Sequence, residues 1–477
     1  MNAPNRIALA ALVVLVAVLA FGFFSRNAIE PASFKAFYCA GQAIDNRANP
    51  YRVEPLRTCE HRVSKEAFPS YAVEPAPLPG YVLAPWAILA RLPFGAAEKV
   101  YVALSVVALG AIGMGIAALT RLPLAWATLP FVAQWFLNIR YGEIPPFATA
   151  GIVLCAWALH ERRWWLAALS AALVASEPHL AAPVWIALLL FATRVRMPLV
   201  VVGLALAVVD AAIGGPRQAI DYFSHVLPLQ ALSEVHANDQ FSLTHQLALL
   251  NISDSLALLL GSVSYIVMFG IGLSAAWRLS AVTGNDDYLA LAPPAFVLLG
   301  GTFVHDLQFM AALPLAVVQL ARRQSKVVGV SALLLSIPWA SGLSRIALLV
   351  AGASAAGVAW IYSHERSVWL RIGSACVTLV VLAAAFTLNL RPLPPQLEQA
   401  STTPVISATA WAPTAWLAYL EATSTRSRPS AIDLERKMPI WLAMILLLFD
   451  SLASTFRRAQ PLAPQLAGAK PRRLTAG

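Results

Sequence analysis

The sequence has little charge for its length. Asp, Glu, Lys and Arg make up 12% of its 477 residues, and hydrophobic residues make up 59%. A typical soluble domain has about 25% charged residues. Together with a mean hydropathy of +0.67, this composition excludes an ordinary soluble enzyme and indicates an integral membrane protein.

Two signs of nucleotide or nucleic-acid binding are also missing. The sequence has no glycine-rich phosphate-binding loop of the P-loop or Rossmann type, so we expect no bound nucleotide. The net charge of +10 does not indicate a nucleic-acid partner, because the basic residues lie mostly at the ends of apolar segments. The expected partner is the membrane, with no nucleic acid.

Cysteine is scarce, with four residues in the chain. Cys155 and Cys376 lie inside apolar runs and are expected to be buried small hydrophobes. Cys39 and Cys59 flank one polar segment, and they can form a disulfide if that segment lies outside the cytoplasm.

No Cys or His cluster has the spacing of a zinc site, so the sequence predicts no metal ligand. His236, Asp239 and His245 lie near one another in a polar segment and could bind a metal ion. The polarity of a surface loop is the simpler interpretation of these three residues.

Apolar runs of a length suited to membrane helices recur along the chain. They lie approximately at residues 6–24, 100–119, 122–139, 144–160, 164–176, 180–193, 197–213, 258–278, 288–304, 307–321, 327–341, 345–362, 369–388 and 439–454. These runs predict an all-α fold, a polytopic transmembrane bundle of about 12–14 helices. A further apolar stretch at 78–93 is broken by Pro79 and Pro85, and we expect it to be a short re-entrant or interfacial segment.

The basic residues set an orientation for this bundle. If the N-terminus is cytoplasmic, the short loops on the outer side contain only Arg140 and Arg345, and the other short-loop cations lie inside. Residues 1–456 then form one transmembrane domain, followed by a basic cytoplasmic tail at 457–477. Three long polar segments are expected outside, the last of them partly disordered: residues 25–99, 214–257 and 389–438.

The first outer segment contains a recognisable local pattern. Phe34, Phe37, Tyr38 and Gly41 recur at helical spacing and predict a short amphipathic helix on the membrane surface. The sequence Asn-Pro-Tyr at 49–51 predicts a turn after it. The segment would be either a structural cap on the bundle or part of a substrate site at the membrane face.

Five short motifs follow one another along the first two thirds of the chain. They are residues 33–41 with the turn at 49–51, then 81–93, 138–143, 176–180 and 305–308. In this order they resemble the motifs of glycosyltransferase family 87, the polyprenol-phosphate-mannose-dependent mannosyltransferase-like membrane proteins of the GT-C superfamily. The resemblance extends over about residues 6–322.

The resemblance implies a GT-C-like fold and a hexosyltransferase. Such an enzyme would transfer a hexose, expected to be mannose, from a polyprenyl-phosphate sugar to an extracytoplasmic glycan or glycolipid acceptor, with inversion of the anomeric centre. It would need no cofactor beyond the lipid-linked donor, and its metal dependence is left open. The expected location is the plasma (inner) membrane, crossed several times, with the active face periplasmic or extracellular.

The family's first motif opens with an Asp that acts as the catalytic base, and Ser33 occupies that position here. Glu30, Asp45 and Asp306 are therefore the candidate catalytic carboxylates. Glu177 stands where the family has a lysine, which inverts a charge that could contact phosphate. The residues expected to bind the substrates are Lys35, Tyr38, Arg47, Tyr51, Arg140, Glu143, His179 and His305.

Two other functions are compatible with the sequence. Loss of the family Asp at Ser33 would suit a degenerate protein that binds lipid-linked sugar or scaffolds assembly. A transporter or lipid flippase would be expected to have internal repeats and charged pairs near the membrane midplane. The sequence has no convincing repeat, and Asp210 lies toward the outer end of its apolar run.

Overall fold

The structure is a computed structural model that describes residues 3–25, 32–64, 71–237, 239–339, 345–363, 368–390, 405–423 and 431–458. These residues are predominantly helical, and they form no β-strand beyond two isolated bridges. The all-α prediction is confirmed. Most of the tail predicted at 457–477 lies outside the described residues.

The described residues of the first half of the chain form eleven α-helices, joined by short links and two 3-10 turns, Leu129–Phe131 and Thr193–Val195. The α-helices are α1 (Ala3–Ser25), α2 (Ala32–Asp45), α3 (Val53–Val63), α4 (Gly80–Leu89), α5 (Phe94–Thr120), α6 (Leu124–Thr128), α7 (Val132–Tyr141), α8 (Pro145–His160), α9 (Trp164–Val174), α10 (Pro178–Phe191) and α11 (Arg196–Asp221).

The second half continues with a π-helical turn, Tyr222–Val226, and a 3-10 helix, Asp306–Ala312, among its α-helices. The α-helices are α12 (Leu227–Ser233), α13 (Leu243–Leu249), α14 (Asp254–Thr283), α15 (Tyr288–Val297), α16 (Leu313–Arg323), α17 (Lys326–Leu335), α18 (Arg345–Ser363), α19 (Val368–Leu390), α20 (Ala412–Thr423) and α21 (Ala431–Arg458).

Four helical stretches of the described chain are long and apolar enough to cross a membrane. They are Phe94–Thr120, Thr193–Ser233, Asp254–Thr283 and Leu434–Thr455. Nine shorter apolar helices accompany them. The protein is therefore a multi-pass membrane protein built as a helix bundle.

The second polar segment is more helical than a loop would be. The sequence predicted a span at 197–213 and a loop from residue 214, but helix continues past this point as far as Ser233. Gly215 has a positive φ of 72°, so the chain bends there, and Pro216 opens the next helical stretch.

The helix predicted near Phe34 is present as α2, and its apolar face packs against protein. Gly41 lies so close to Trp86 of α4 that an added Cβ would come within 2.4 Å of the Trp86 backbone. The ring of Phe34 contacts Trp86 and Phe94, with centroids 5.6 and 5.4 Å apart. Helix α2 is thus fixed between α4 and the start of α5.

The stretch at 78–93 forms the short helix α4, in line with the prediction of a short segment. Asp210 of α11 accepts a hydrogen bond from the backbone N–H of Tyr81 (2.9 Å) at the beginning of α4. This contact gives Asp210 a capping role, since the first N–H groups of a helix have no partner within the helix.

The segments predicted to lie outside are joined to one another by covalent and hydrogen-bonding contacts. Cys39 of α2 and Cys59 of α3 form a disulfide, as the sequence allowed. The backbone N–H of Val53 bonds to the carbonyl of Ala410 (2.9 Å), and the guanidinium of Arg52 lies 3.4 Å from the centroid of the Trp411 ring. Part of the segment predicted to be disordered is therefore ordered at 405–423, and its flanks lie outside the described residues.

The ends of α8 separate two groups of polar residues. The helix begins just after Glu143 and ends at His160, whose Nδ1 lies 3.7 Å from Asp287 Oδ2. Asp287 also pairs with Arg322 (2.5 Å), and we call this region the ion-pair end. Helix α8 has 16 residues, so Glu143 lies about 24 Å from the ion-pair end.

Candidate functional site

A tight turn after α7 places a carboxylate against α2. Gly142 ends α7 with a φ of 79°, and an added Cβ would lie within 3 Å of the Phe34 backbone. Only glycine fits this left-handed, closely packed position. The next residue, Glu143, accepts a hydrogen bond from the Ser33 hydroxyl (2.7 Å), and its backbone carbonyl accepts one from Tyr101 (2.7 Å).

Glu143 and Ser33 open onto a large cavity of about 850 Å³. Its wall is formed by α2, by the links before α4, α8, α10 and the Asp306–Ala312 helix, and by α12, α14 and α20. Its polar and aromatic lining includes Ser33, Glu74, Glu143, Glu177, His179, Tyr222, Gln230, Glu234, Asp239, Tyr265, His305, Gln308 and Trp416.

The cavity is strongly acidic. Its lining includes five carboxylates, Glu74, Glu143, Glu177, Glu234 and Asp239, and no lysine or arginine from the described residues. Carboxylates gathered in a low-dielectric space repel one another and favour protonation or the binding of a cation. This cavity therefore suits proton transfer or cation binding.

Burial shifts the pKa of two of these carboxylates upward. Burial raises the pKa of Glu143, although the positive charge of His305 and the hydrogen bond from Ser33 oppose that rise. Burial, reinforced by the negative charge of Glu143, raises the pKa of Glu177 to about 8. A carboxylate with a raised pKa is a better proton acceptor near neutral pH than an ordinary one.

Opposite them lies a histidine–carboxylate group. His305 Nδ1 lies 2.9 Å from Asp239 Oδ2. Burial by itself would lower the pKa of His305, but Asp239, Glu234 and Glu143 outweigh it and raise that pKa. His305 is thus a cation at neutral pH. Gln240 fixes its position, because its amide oxygen accepts the Val304 N–H (2.8 Å).

Three of the residues predicted to bind substrate lie in the cavity wall: Glu143, His179 and His305. His179 lies with Nδ1 3.5 Å from Glu177 Oε2, and its Nε2 has no hydrogen-bond partner among the described residues. That nitrogen is available for a ligand.

The two predicted tyrosines are buried and hold backbone groups. Tyr38 donates to the carbonyl of Leu92 (2.9 Å), and Tyr51 donates to that of Leu78 (2.8 Å). The Asn-Pro-Tyr turn is confirmed, since Asn49 Oδ1 accepts the Tyr51 N–H (2.9 Å). The two tyrosines therefore hold the segments that flank α4, since Leu78 precedes the helix and Leu92 follows it.

The structure does not bring the predicted cations into the cavity lining. Lys35 is buried and donates to Ser64 (3.2 Å), and Arg47 is exposed in the turn after α2. Arg140 lies at the end of α7 with its guanidinium 5.9 Å from the ring of Tyr141.

Neither Asp45 nor Asp306, two of the carboxylates proposed as catalysts from the sequence, is part of the cavity lining. Asp45 is exposed and forms an ion pair with Arg91 (2.8 Å) outside the cavity lining. Asp306 begins the 3-10 helix next to His305, half-buried, and is not part of the lining. Glu30 lies outside the described residues.

Several lining residues were not predicted from the sequence. Glu74, Glu234 and Trp416 lie in three different segments and have no motif around them. The histidines noted beside Asp239 do not join it in a cluster. His236 pairs with Asp254 (3.1 Å), and His245 contacts the Val235 carbonyl (2.8 Å).

The fold and this cavity define a multi-pass helical membrane protein with an acidic cavity where several helix ends meet. The model of the protein family "Glycosyltransferase family 87" matches residues 77–305, just under half of the chain. The match supports the family assignment made from the motifs, and the family indicates a glycosyltransferase. No curated protein matches the chain.

Proposed function

We propose that the protein transfers a hexose, expected to be mannose, from a polyprenyl-phosphate donor to a glycan or glycolipid acceptor, and that Glu143 is the catalytic base. The observation that carries the proposal is the 2.7 Å hydrogen bond from Ser33 to Glu143 in the acidic cavity. Ser33 holds the position of the family's Asp, and Glu143 holds that of a glutamine in the family motif.

The two substitutions compensate for each other. The family motifs have Asp and Gln at these two positions, and this chain has Ser33 and Glu143, so each arrangement has one carboxylate and one neutral hydrogen-bonding group. Relative to the family motifs, the carboxylate is on the second residue of the pair, 110 positions further along the sequence. This exchange favours an active enzyme over a degenerate relative.

The reaction follows from the groups in the wall. Glu143 takes the proton of an acceptor hydroxyl, the oxygen forms a bond to the anomeric carbon of the donor, and the bond from that carbon to the phosphate oxygen breaks. Polyprenyl phosphate leaves with the bonding electrons, and Glu143 ends protonated. A single displacement of this kind inverts the anomeric centre.

Two histidines suit the donor. The cationic ring of His305 can stabilise charge that develops on the leaving phosphate. The free Nε2 of His179 can hydrogen-bond to the sugar or to the phosphate. The disulfide between Cys39 and Cys59 supports a periplasmic or extracellular cavity, since disulfides persist in oxidising compartments.

The test is transfer of labelled mannose from polyprenyl-phosphate-mannose to acceptors in membranes that contain the protein. Glu143→Gln should lower the transfer rate by about 10²- to 10⁴-fold, because a general base is lost. The double variant Ser33→Asp/Glu143→Gln restores the family arrangement and should recover much of the rate. The matched control is Glu161→Gln, which changes an exposed glutamate after α8, about 24 Å away.

Asp306→Asn is compared in the same assay, because Asp306 is a candidate base from the sequence and directly follows His305. Full transfer by Glu143→Gln, with loss in Asp306→Asn, would move the base to Asp306. Absence of transfer by the wild-type protein with every membrane acceptor would contradict the proposed donor.

A further inference from the structure

The negative charge of the cavity would repel the phosphate of the proposed donor. A polyprenyl-phosphate sugar brings a negative phosphate to five carboxylates, and no lysine or arginine of the described residues lines the wall. His305 is already paired with Asp239 at 2.9 Å. A bound cation would supply the missing positive charge, as metal ions do at other phosphoryl-group sites.

One group of side chains in the wall has the composition of a metal site. Ligand atoms of Glu234, Asp239 and His305 all lie within 4.8 Å of one another. Two carboxylates and one imidazole suit a divalent cation such as Mn²⁺, which leaves further positions for water or a phosphate oxygen. These three residues come from two separate segments, so their meeting is a product of the fold.

The surroundings hold this group in place. Glu234 Oε1 accepts hydrogen bonds from Trp416 (3.1 Å) and Gln230 (2.9 Å), and its Oε2 accepts one from Gln240 (3.1 Å). The segment with Asp239 is bonded to the segment with His305 through the pair Gln240 and His305. Such outer contacts orient the ligands of a metal before the metal binds.

A buried amide gives a second, independent indication. Gln230 lies one helical turn before Glu234, lines the same cavity and is only 5% exposed. Its amide nitrogen bonds to Glu234, but its amide oxygen has no hydrogen-bond partner among the described residues. A buried oxygen without a partner costs free energy, and a bound cation or its hydration water would remove that cost.

We propose that Glu234, Asp239 and His305 bind a divalent cation, and that this cation binds the phosphate of the sugar donor. The His305 ring binds the cation as a neutral imidazole, so it releases its proton on metal binding, and the cation then stabilises the phosphate in place of protonated His305. The second half of the proposal rests on the proposed function, but the metal site itself does not. Gln230 would add its amide oxygen to the cation, directly or through a water molecule.

The experiment measures Mn²⁺ binding by the purified full-length protein in detergent, after removal of metals with EDTA. The electron paramagnetic resonance signal of free Mn²⁺ falls as the ion binds, so a titration gives stoichiometry and affinity. We expect one Mn²⁺ per chain, and an affinity lower by about 10- to 100-fold in Asp239→Asn and Glu234→Gln. Glu177→Gln, a carboxylate variant of the same cavity outside the group, should bind Mn²⁺ with nearly wild-type affinity.

A second measurement protects the test against variants that do not fold. Mn²⁺ should raise the apparent melting temperature of the wild-type protein and of Glu177→Gln, because a ligand of the folded state stabilises it. At the same Mn²⁺ concentration it should raise that of Asp239→Asn by less, and this variant must elute as the wild type does in gel filtration. A variant that fails this criterion is replaced by His305→Gln.

Equal Mn²⁺ binding by the wild type and by the group's variants would overturn the proposal, as would no binding by the wild type. In that case His305 and Asp239 form an ion pair only. Loss of transfer in Glu143→Gln would then still support the glycosyltransferase. Mn²⁺ binding by the wild type without any sugar transfer would support the metal site and contradict the proposed function.

Discussion

Buried carboxylates have different partners at the ion-pair end of the bundle and in the cavity. At the ion-pair end, Asp287 is fully buried, and its carboxylate contacts the guanidinium of Arg322 at 2.5 Å. In the cavity, Glu177 is 7% exposed and contacts the amide of Gln308 (3.4 Å) and the ring of His179 (3.5 Å). One buried acid has an arginine beside it, and the other has no lysine or arginine among the described residues of the cavity lining.

The difference separates a structural role from a functional one. A buried charge with a fixed partner of opposite charge holds elements together and has little freedom to exchange protons. A group of buried acids that outnumbers its cations is costly to the folded state, and such groups are candidates for functional sites. We expect the ion-pair end to stabilise the bundle and the cavity, which carries the proposed chemistry, to lower its stability.

The largest effect is expected from breaking the ion pair. Arg322→Met leaves Asp287 buried without its cation, and the free energy of unfolding should fall by about 3–5 kcal/mol. Unfolding of the solubilised protein by denaturant measures it. Arg162→Met, which changes an exposed arginine after α8, is the control and should cost less than about 1 kcal/mol. Equal effects of the two variants would contradict the structural role of the pair.

Substitution of Glu177, unlike that of Arg322, is expected to raise the free energy of unfolding at high pH. Its pKa is about 8 in the folded protein and near 4.3 in the unfolded chain, so the folded state binds more protons between these values. Wild-type stability should therefore fall as pH rises through this window, by on the order of 2 kcal/mol between pH 6 and pH 9. Glu177→Gln removes this loss and should be more stable than the wild type at pH 9.

The measurement is denaturant unfolding of both proteins at the two pH values. Glu161→Gln changes an exposed glutamate and should keep the wild-type pH dependence. If Glu177→Gln showed the same loss between pH 6 and pH 9 as the wild type, Glu177 would be charged in the folded protein and the comparison of the two ends would fail.

Sequence alone predicted much of the fold and only part of the site. Apolar runs predicted α5 and α8 because length and hydropathy are local properties. The contact of Ser33 with Glu143 joins residues 110 positions apart, and a single sequence does not state which distant residues meet. Glu234 had no motif around it for the same reason. Glu143 was predicted as a binding residue from its motif, but its proposed role as a base depends on the hydrogen bond from Ser33.

The smallest effect is expected at an acidic residue that has a cation but no burial. Asp45 lies at the end of α2 and contacts Arg91 at 2.8 Å, with both side chains exposed to solvent. Water screens such a pair, so Asp45→Asn should lower the free energy of unfolding by less than about 1 kcal/mol, and added salt should abolish the difference. Denaturant unfolding at low and high salt measures both. A loss as large as that in Arg322→Met would mean that pairing itself, and not burial, makes an acidic residue structural in this protein.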